Sequence, residues 1–245
     1  MQHKFAVATK IAALSLFACC AAPVMAQSAG SIVVNAGWAH IAPNDSSTPL
    51  AITSPNAAAG AIPGSGAGVE STDTLGVAVN YFYTNNLVFA ADLGVPPTYQ
   101  LHGEGSLAGV GKIGQAKQWA PTALVKYFFG DSKAKLRPYI GGGVTYVRYS
   151  DVELTTRFQQ TIGAKFGNPS AVTTAELSSG FAPVITAGLS YEVATNWYAS
   201  VSLSYVNLKT DADLTTLSTK IGTVKSKTSL TLDPLVGFAS IGYRF

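Results

Sequence analysis

The chain has 245 residues, 47% hydrophobic and 12% charged, with a formal net charge of +3; its mean hydropathy is +0.25. A chain this apolar and this poor in charge is neither disordered nor a coiled coil, and it lacks the cationic surface that neutralises nucleic-acid phosphates. Beyond the N-terminus no stretch approaches the roughly 20 apolar residues of a spanning helix, so the apolar side chains must be dispersed.

Lys4 and Lys10 give a short positive region, Ile11 to Ala22 an apolar core, and Val24-Met25-Ala26 a small-residue pattern that a signal peptidase reads. This predicts a bacterial secretory signal over residues 1–26, removed before Gln27, and a barrel domain over 27–245. The rival lipoprotein reading of Leu16-Phe17-Ala18-Cys19 is weaker, because Phe17 fits a lipobox poorly. Both cysteines leave with the signal, and with them any disulfide or thiol chemistry.

Along the remaining chain the repeat is two residues, the period of a β-strand. The first strand is predicted over Ile32 to Ile41. Leu75, Val77, Val79, Tyr81 and Tyr83 alternate with Gly76, Ala78, Asn80 and Phe82. The split returns in Leu87 to Val95, Trp119 to Phe129, Ile140 to Tyr146, Pro183 to Tyr191 and Trp197 to Tyr205, with an eighth strand in Thr228 to Phe245. In the seventh, Trp197, Val201 and Leu203 make an apolar outer face and Ser200, Ser202 and Ser204 a polar inner one.

Tight turns rich in Asn, Asp, Gly and Ser fall at Thr84-Asn85-Asn86, Gly130-Asp131-Ser132 and Thr195-Asn196. Between them lie long segments, roughly 42–72, 99–115, 150–176 and 209–227. Eight strands with short connections at one end and long ones at the other predict an all-β fold: an eight-stranded antiparallel transmembrane β-barrel with short periplasmic turns and long extracellular loops. Only a closed barrel satisfies every strand's backbone groups in lipid.

Aromatic placement agrees. Tyr81, Tyr83, Phe129, Tyr191, Trp197, Tyr243 and Phe245 sit beside the short turns, and Trp38, Trp119, Tyr146 and Tyr205 towards the long loops, as two interfacial belts require. Phe245, with Tyr243 and Ile241 on the same face, resembles the terminal signature by which barrel-assembly machinery recognises its substrates. The expected setting is the bacterial outer membrane, with its lipids and lipopolysaccharide as neighbours.

Several blocks carry a family resemblance: Trp119-Ala120-Pro121-Thr122, Gly130-Asp131-Ser132, Arg137-Pro138-Tyr139-Ile140-Gly141-Gly142-Gly143, Asn196-Trp197, Leu232-Asp233-Pro234 and the closing Gly242-Tyr243-Arg244-Phe245. Their order and spacing resemble the OmpW family of small outer-membrane barrels and its AlkL-type relatives. The segment Pro43 to Thr72, rich in Ala, Gly, Pro and Ser, departs from that pattern by its length. The resemblance implies a barrel that passes small hydrophobic molecules inward, with release sideways into the membrane.

The residues bear on that implication. An eight-stranded barrel is just wide enough to be filled by side chains, which excludes a water-filled pore. The inward charges Asp92, Lys126, Arg137, Glu192 and Arg244 crowd the periplasmic half, where opposite signs are expected to pair into a plug. Higher up, Leu124, Val184, Val206, Pro234 and Val236 face inward and make an apolar channel lining. Pro96, Pro97, Pro121 and Pro183 lack amide donors and mark a candidate lateral opening. The alternative is a structural or adhesion barrel acting through its extracellular loops.

Other chemistry is weakly supported. Gly109-Val110-Gly111-Lys112-Ile113-Gly114 matches a dinucleotide fingerprint by letter, but no apolar strand precedes it and no helix follows. His40 and His102 lack a fixed metal-ligand spacing, with Glu104 the nearest carboxylate partner to consider. Ser106 near His102 is a thin basis for a nucleophile. No enzyme activity, metal or cofactor is expected.

Overall fold

In a computed structural model the described residues are 27–55, 59–218 and 222–245; the predicted signal segment lies outside them. In chain order β1 (Ile32–Ala42) is followed by four short strands, β2 (Ser46–Ser47), β3 (Ala51–Ser54), β4 (Gly60–Ala61) and β5 (Ser65–Val69). Next come β6 (Thr72–Phe82), β7 (Leu87–Gly94), β8 (Thr98–Gly105), β9 (Lys112–Trp119), β10 (Thr122–Phe128) and the 19-residue β11 (Leu136–Leu154). Helix α1 (Thr156–Lys165) precedes β12 (Val172–Leu177), β13 (Gly180–Ala194), β14 (Trp197–Val206), β15 (Lys209–Ser218), β16 (Gly222–Thr231) and β17 (Leu235–Arg244).

Eight of these strands close a barrel in the order β10, β7, β6, β1, β17, β14, β13, β11, with β11 pairing back onto β10. Every neighbouring pair is antiparallel, and closure leaves neither end strand of the sheet as a free edge in lipid. Alternation sets the two faces. Leu75, Phe89, Ile140, Ile185, Val201 and Leu203 point outward and are exposed. Their strand neighbours Ala90, Tyr139, Val184 and Thr186 are buried inside.

The short turns follow from local chemistry. Thr84 Oγ1 accepts from the Asn86 and Leu87 amides, and Asp131 Oδ1 from the Lys133 amide at 2.8 Å. Gly130 and Asn196 take the left-handed conformation, at φ +80° and +67°, that glycine and asparagine tolerate best. At this end Trp197 packs on Tyr243 at 5.1 Å and Tyr243 on Phe245 at 5.0 Å, building one aromatic belt. Trp38 and Trp119 lie outward at the other end.

The long segments are not irregular loops. They contain nine of the strands described, plus α1, and form a layer above the barrel. β9 continues onto the upper half of β11 and carries β8 and β5 beside it. A second sheet runs β12, β15, β16, β3, β4, with β2 also on β16. Leu107, Ile113, Phe158, Leu214, Val224 and Leu230 fill the space between, and this core is continuous with the luminal Leu124, Val184 and Val206.

Two strand boundaries differ from the sequence expectation. The run from Trp119 to Phe129 breaks at Ala120 and Pro121, because proline cannot donate to a ladder. The run from Thr228 to Phe245 breaks between β16 and β17. There Asp233 adopts φ +31° and its carboxylate accepts from the Leu208 amide at 3.0 Å.

Candidate functional site

The lumen has three levels. At the bottom, Phe82, Phe128, Tyr139 and Tyr198 pack with Val33 and Val88 into a closed apolar cluster. Arg137, 1% exposed, lies against it, with its guanidinium carbon 5.3 Å from the Phe128 ring centre and 5.9 Å from that of Phe82. Its Nη1 donates to the Gln27 carbonyl at 2.9 Å and its Nη2 to the Asn85 carbonyl at 2.6 Å. Gln27 in turn donates from Nε2 to Ser190 Oγ at 3.0 Å, which draws the start of the described chain across the mouth.

At mid-height, Lys126 Nζ donates to Asn80 Oδ1 at 3.1 Å and stands 3.7 Å from Asp92 Oδ1. Asn80 donates to Asn35, and the Asn35 amide faces the hydroxyls of Ser200 and Ser240. Ammonium, amides and hydroxyls thus cross the barrel as one polar layer, leaving a cavity of only about 30 Å³.

Above it the character changes. A cavity of about 180 Å³ is walled by Leu124, Val184, Val206, Pro234, Val236 and Phe238, with Asp92 at its floor. The same cavity also reaches Val77, Leu93 and Val95. These three are exposed on the lipid side of the wall, so the space extends from lumen to exterior.

The reason lies in the backbone. β7 and β10 pair no higher than Asp92 opposite Thr122, and contact resumes where the Gln118 amide donates to the Pro97 carbonyl at 3.0 Å. Between those points lie residues 93–96 and 119–121, including Pro96 and Pro121. Pro121 keeps its hold on β11, its carbonyl accepting from the Tyr146 amide and the Thr145 hydroxyl. The interruption is therefore confined to one seam.

Two smaller apolar cavities continue upward. One of about 30 Å³ touches Pro43, Val69, Tyr99, Tyr149, Leu177 and Leu208. The next, about 70 Å³, lies among Leu50, Leu101, Leu107, Phe158, Leu214 and Leu230 within the extracellular layer. Burial pushes the hydroxyls of Tyr99 and Tyr149 above the ordinary tyrosine value, so both stay protonated; Tyr149 is held 2.9 Å from Thr210 Oγ1.

A family comparison settles the descent of this architecture: the model of the OmpW family matches residues 28–245. The chain belongs to the OmpW family. Outer membrane protein W of Vibrio cholerae is 29% identical over 231 residues, covering 94% of this chain and 95% of that one. The dibenzothiophene metabolism operon protein PahQ of Pseudomonas aeruginosa is 27% identical over 186 residues, covering 75% and 77%. Among solved structures, OprG of Pseudomonas aeruginosa matches with a TM-score of 0.77 at 23% identity over 90% of this chain and 98% of that one, a likeness of fold. As an OmpW-family barrel, the chain is an outer-membrane protein.

Within this OmpW-family barrel the residues singled out from sequence fall into separate groups. Leu124, Val184, Val206, Pro234 and Val236 share the upper cavity. Asp92 and Lys126 meet, whereas Arg137 is satisfied by carbonyls and rings, with no carboxylate within 4 Å among the described residues. Glu192 faces Tyr198 across the β13–β14 ladder and pairs with neither Lys126 nor Arg137. Arg244 is held by Asn196. The inward charges thus form separate layers in place of one network, because backbone carbonyls and rings reach Arg137 first.

Pro96, Pro97 and Pro121 gather at the seam. Pro183 does not: it is paired with Val144, and its carbonyl accepts from Asn207. His40 contacts Asp73 at 2.8 Å, and His102 stands 3.6 Å from Glu104 on β8, so the histidines have separate partners. Sequence reasoning missed Gln27, Asn35, Asn80, Tyr99 and Gln118. Inward parity marks Asn35 and Asn80 as luminal, but nothing local in the sequence announces the other three.

Proposed function

We propose that this OmpW-family barrel gives passage to small hydrophobic molecules, taken through the apolar cavities of the extracellular layer into the upper lumen and released sideways into the outer leaflet. The observation that carries the reading is the single cavity bounded both by luminal Leu124 and Val184 and by lipid-facing Leu93 and Val95. Asp92 with Lys126, and below them Arg137 on its aromatic cluster, stand across the straight route to the periplasm. A desolvated apolar solute gains by leaving through the Pro96–Pro121 seam, where no ladder bond has to break. The name of a relative from a dibenzothiophene metabolism operon is in keeping with an apolar cargo.

Charged substitution at Leu124 or Val184 tests the reading, since each side chain is 4% exposed and faces the cavity. Leu124→Asp, with assembly verified by heat-modifiable mobility, should cut cellular uptake of n-octane several-fold. Uptake at the unaltered rate would overturn it.

A further inference from the structure

The upper cavity contains few polar groups, and nearly all have partners within the protein. Thr74, Thr122 and Thr145 donate to the carbonyls of Val95, Ala120 and Pro121, and Ser204 donates to Thr186 Oγ1 at 2.9 Å. Ser202 meets the Tyr139 hydroxyl, and Asp92 faces Lys126. The Tyr99 hydroxyl and the Gln118 carboxamide are different. Among the described residues neither has a hydrogen-bond partner, although Tyr99 is 7% and Gln118 8% exposed. Both border the large cavity and the smaller one above it.

Neither polar end is sealed inside the protein: each opens on the cavity and is left for whatever enters it, and Phe and Leu would line the same space if apolar contact were all these positions required. Buried tyrosines ordinarily find a partner for the hydroxyl. Position adds a second constraint. The Gln118 amide bonds Pro97 where the ladder resumes, so its side chain starts at the upper lip of the seam, and Tyr99 follows two residues after Pro97.

We infer that Tyr99 and Gln118 form a head-group station for apolar solutes that carry one uncharged hydrogen-bonding group, such as an alcohol or a ketone. The inference rests on the proposed passage and names its substrate class. The Tyr99 hydroxyl both donates and accepts, and the Gln118 carboxamide offers two donors and an acceptor, so the pair matches a hydroxyl or a carbonyl. The tail of a solute held there lies along the apolar wall beside the seam. A carboxylate is disfavoured, because Asp92 lies in the same cavity while Lys126 is turned to Asn80 below it.

The test compares octan-1-ol with n-octane in cells carrying the wild-type barrel, the Tyr99→Phe/Gln118→Leu double variant, or no barrel. Octanol uptake should fall about tenfold further than octane uptake in the double variant, the size expected from losing two modest hydrogen bonds. An equal fall for both probes, or no fall for octanol, overturns the inference. Absence of uptake of either probe by wild type above barrel-free cells instead overturns the passage reading beneath it. NMR of the unaltered protein gives a check independent of folding variants: octanol should shift the Gln118 side-chain amide resonances and octane should not, and equal responses would count against the station.

Discussion

Lys126 and Asp92 stand 3.7 Å apart on neighbouring strands, and their pairing marks the boundary between the polar and apolar halves of the lumen. Asp92 Oδ1 is buried and accepts no hydrogen bond among the described residues, so the lysine is its main compensation. Removing the lysine alone strands that carboxylate. Lys126→Met should cost about 1–3 kcal/mol, less than for a fully buried pair because the Asp92 side chain is 36% exposed, and the Asp92→Asn/Lys126→Met double variant should recover most of it. Urea unfolding in detergent micelles measures both. Planar-bilayer recordings should show no new conductance in either variant, because Arg137 and the aromatic cluster remain below; an opened ion path would show that the pair is a gate.

The seam between residues 93–96 and 119–121 predicts a second result. Ala120 borders the upper cavity beside the interruption, and its small side chain leaves room there. Ala120→Trp should block the gap and lower n-octane uptake several-fold, whereas Ala199→Trp, on the outer wall across the barrel, should leave it unchanged. Equal uptake by both variants would place the exit elsewhere.

Asp211 and Lys227 form a pair on the β15–β16 hairpin at 3.0 Å, with Ser229 also donating to Asp211. The Ser229 and Lys227 hydrogen bonds hold the Asp211 carboxyl below the usual range, and Asp211 holds the Lys227 ammonium above its own. A depressed acid stabilises above its unfolded value and loses that contribution as pH falls through its folded one. A raised base stabilises below its unfolded value and loses that contribution as pH climbs through its folded one. The pair is therefore intact across neutral pH and weakens only towards strong acid or strong base. Asp211→Asn should return the Lys227 titration, followed by its side-chain NMR signals, to the ordinary lysine range; an unmoved titration would mean the contact is absent in solution.

The barrel was legible because lipid imposes a strict rule: outward positions such as Leu75, Val201 and Leu203 must be apolar, so parity stands out. Above the membrane the rule relaxes. β15 buries Thr210, Ala212, Leu214 and Thr216 but turns Lys209 and Asp213 to water, and its mixture of Thr, Lys and Asp resembles a loop. Tyr99 and Gln118 lie at the margins of such segments and reach one cavity only because β8 and β9 pair as a hairpin. Asp92 and Lys126 could be expected to pair because opposite charges inside one narrow lumen have few other outlets, and the long lysine side chain spans their offset in register. The partners of Arg137 could not, since carbonyls have no sequence signature and Gln27 lies 110 residues away.

Arg137 supplies the last prediction. The two terminal nitrogens of its planar fork reach the carbonyls of Gln27 and Asn85, while its guanidinium carbon stands over the rings of Phe82 and Phe128. A lysine keeps the charge but offers one compact ammonium in place of the fork, so it cannot bridge both carbonyls and stack as well. Arg137→Lys should lower stability by about 2 kcal/mol, roughly one charged hydrogen bond together with part of the ring interaction. If stacking contributes, Phe128→Leu should cost less in the Arg137→Lys background than in wild type, by roughly 0.5 kcal/mol or more in a double-mutant cycle. Strict additivity would assign the whole effect to the two carbonyls, with the rings acting only as apolar packing.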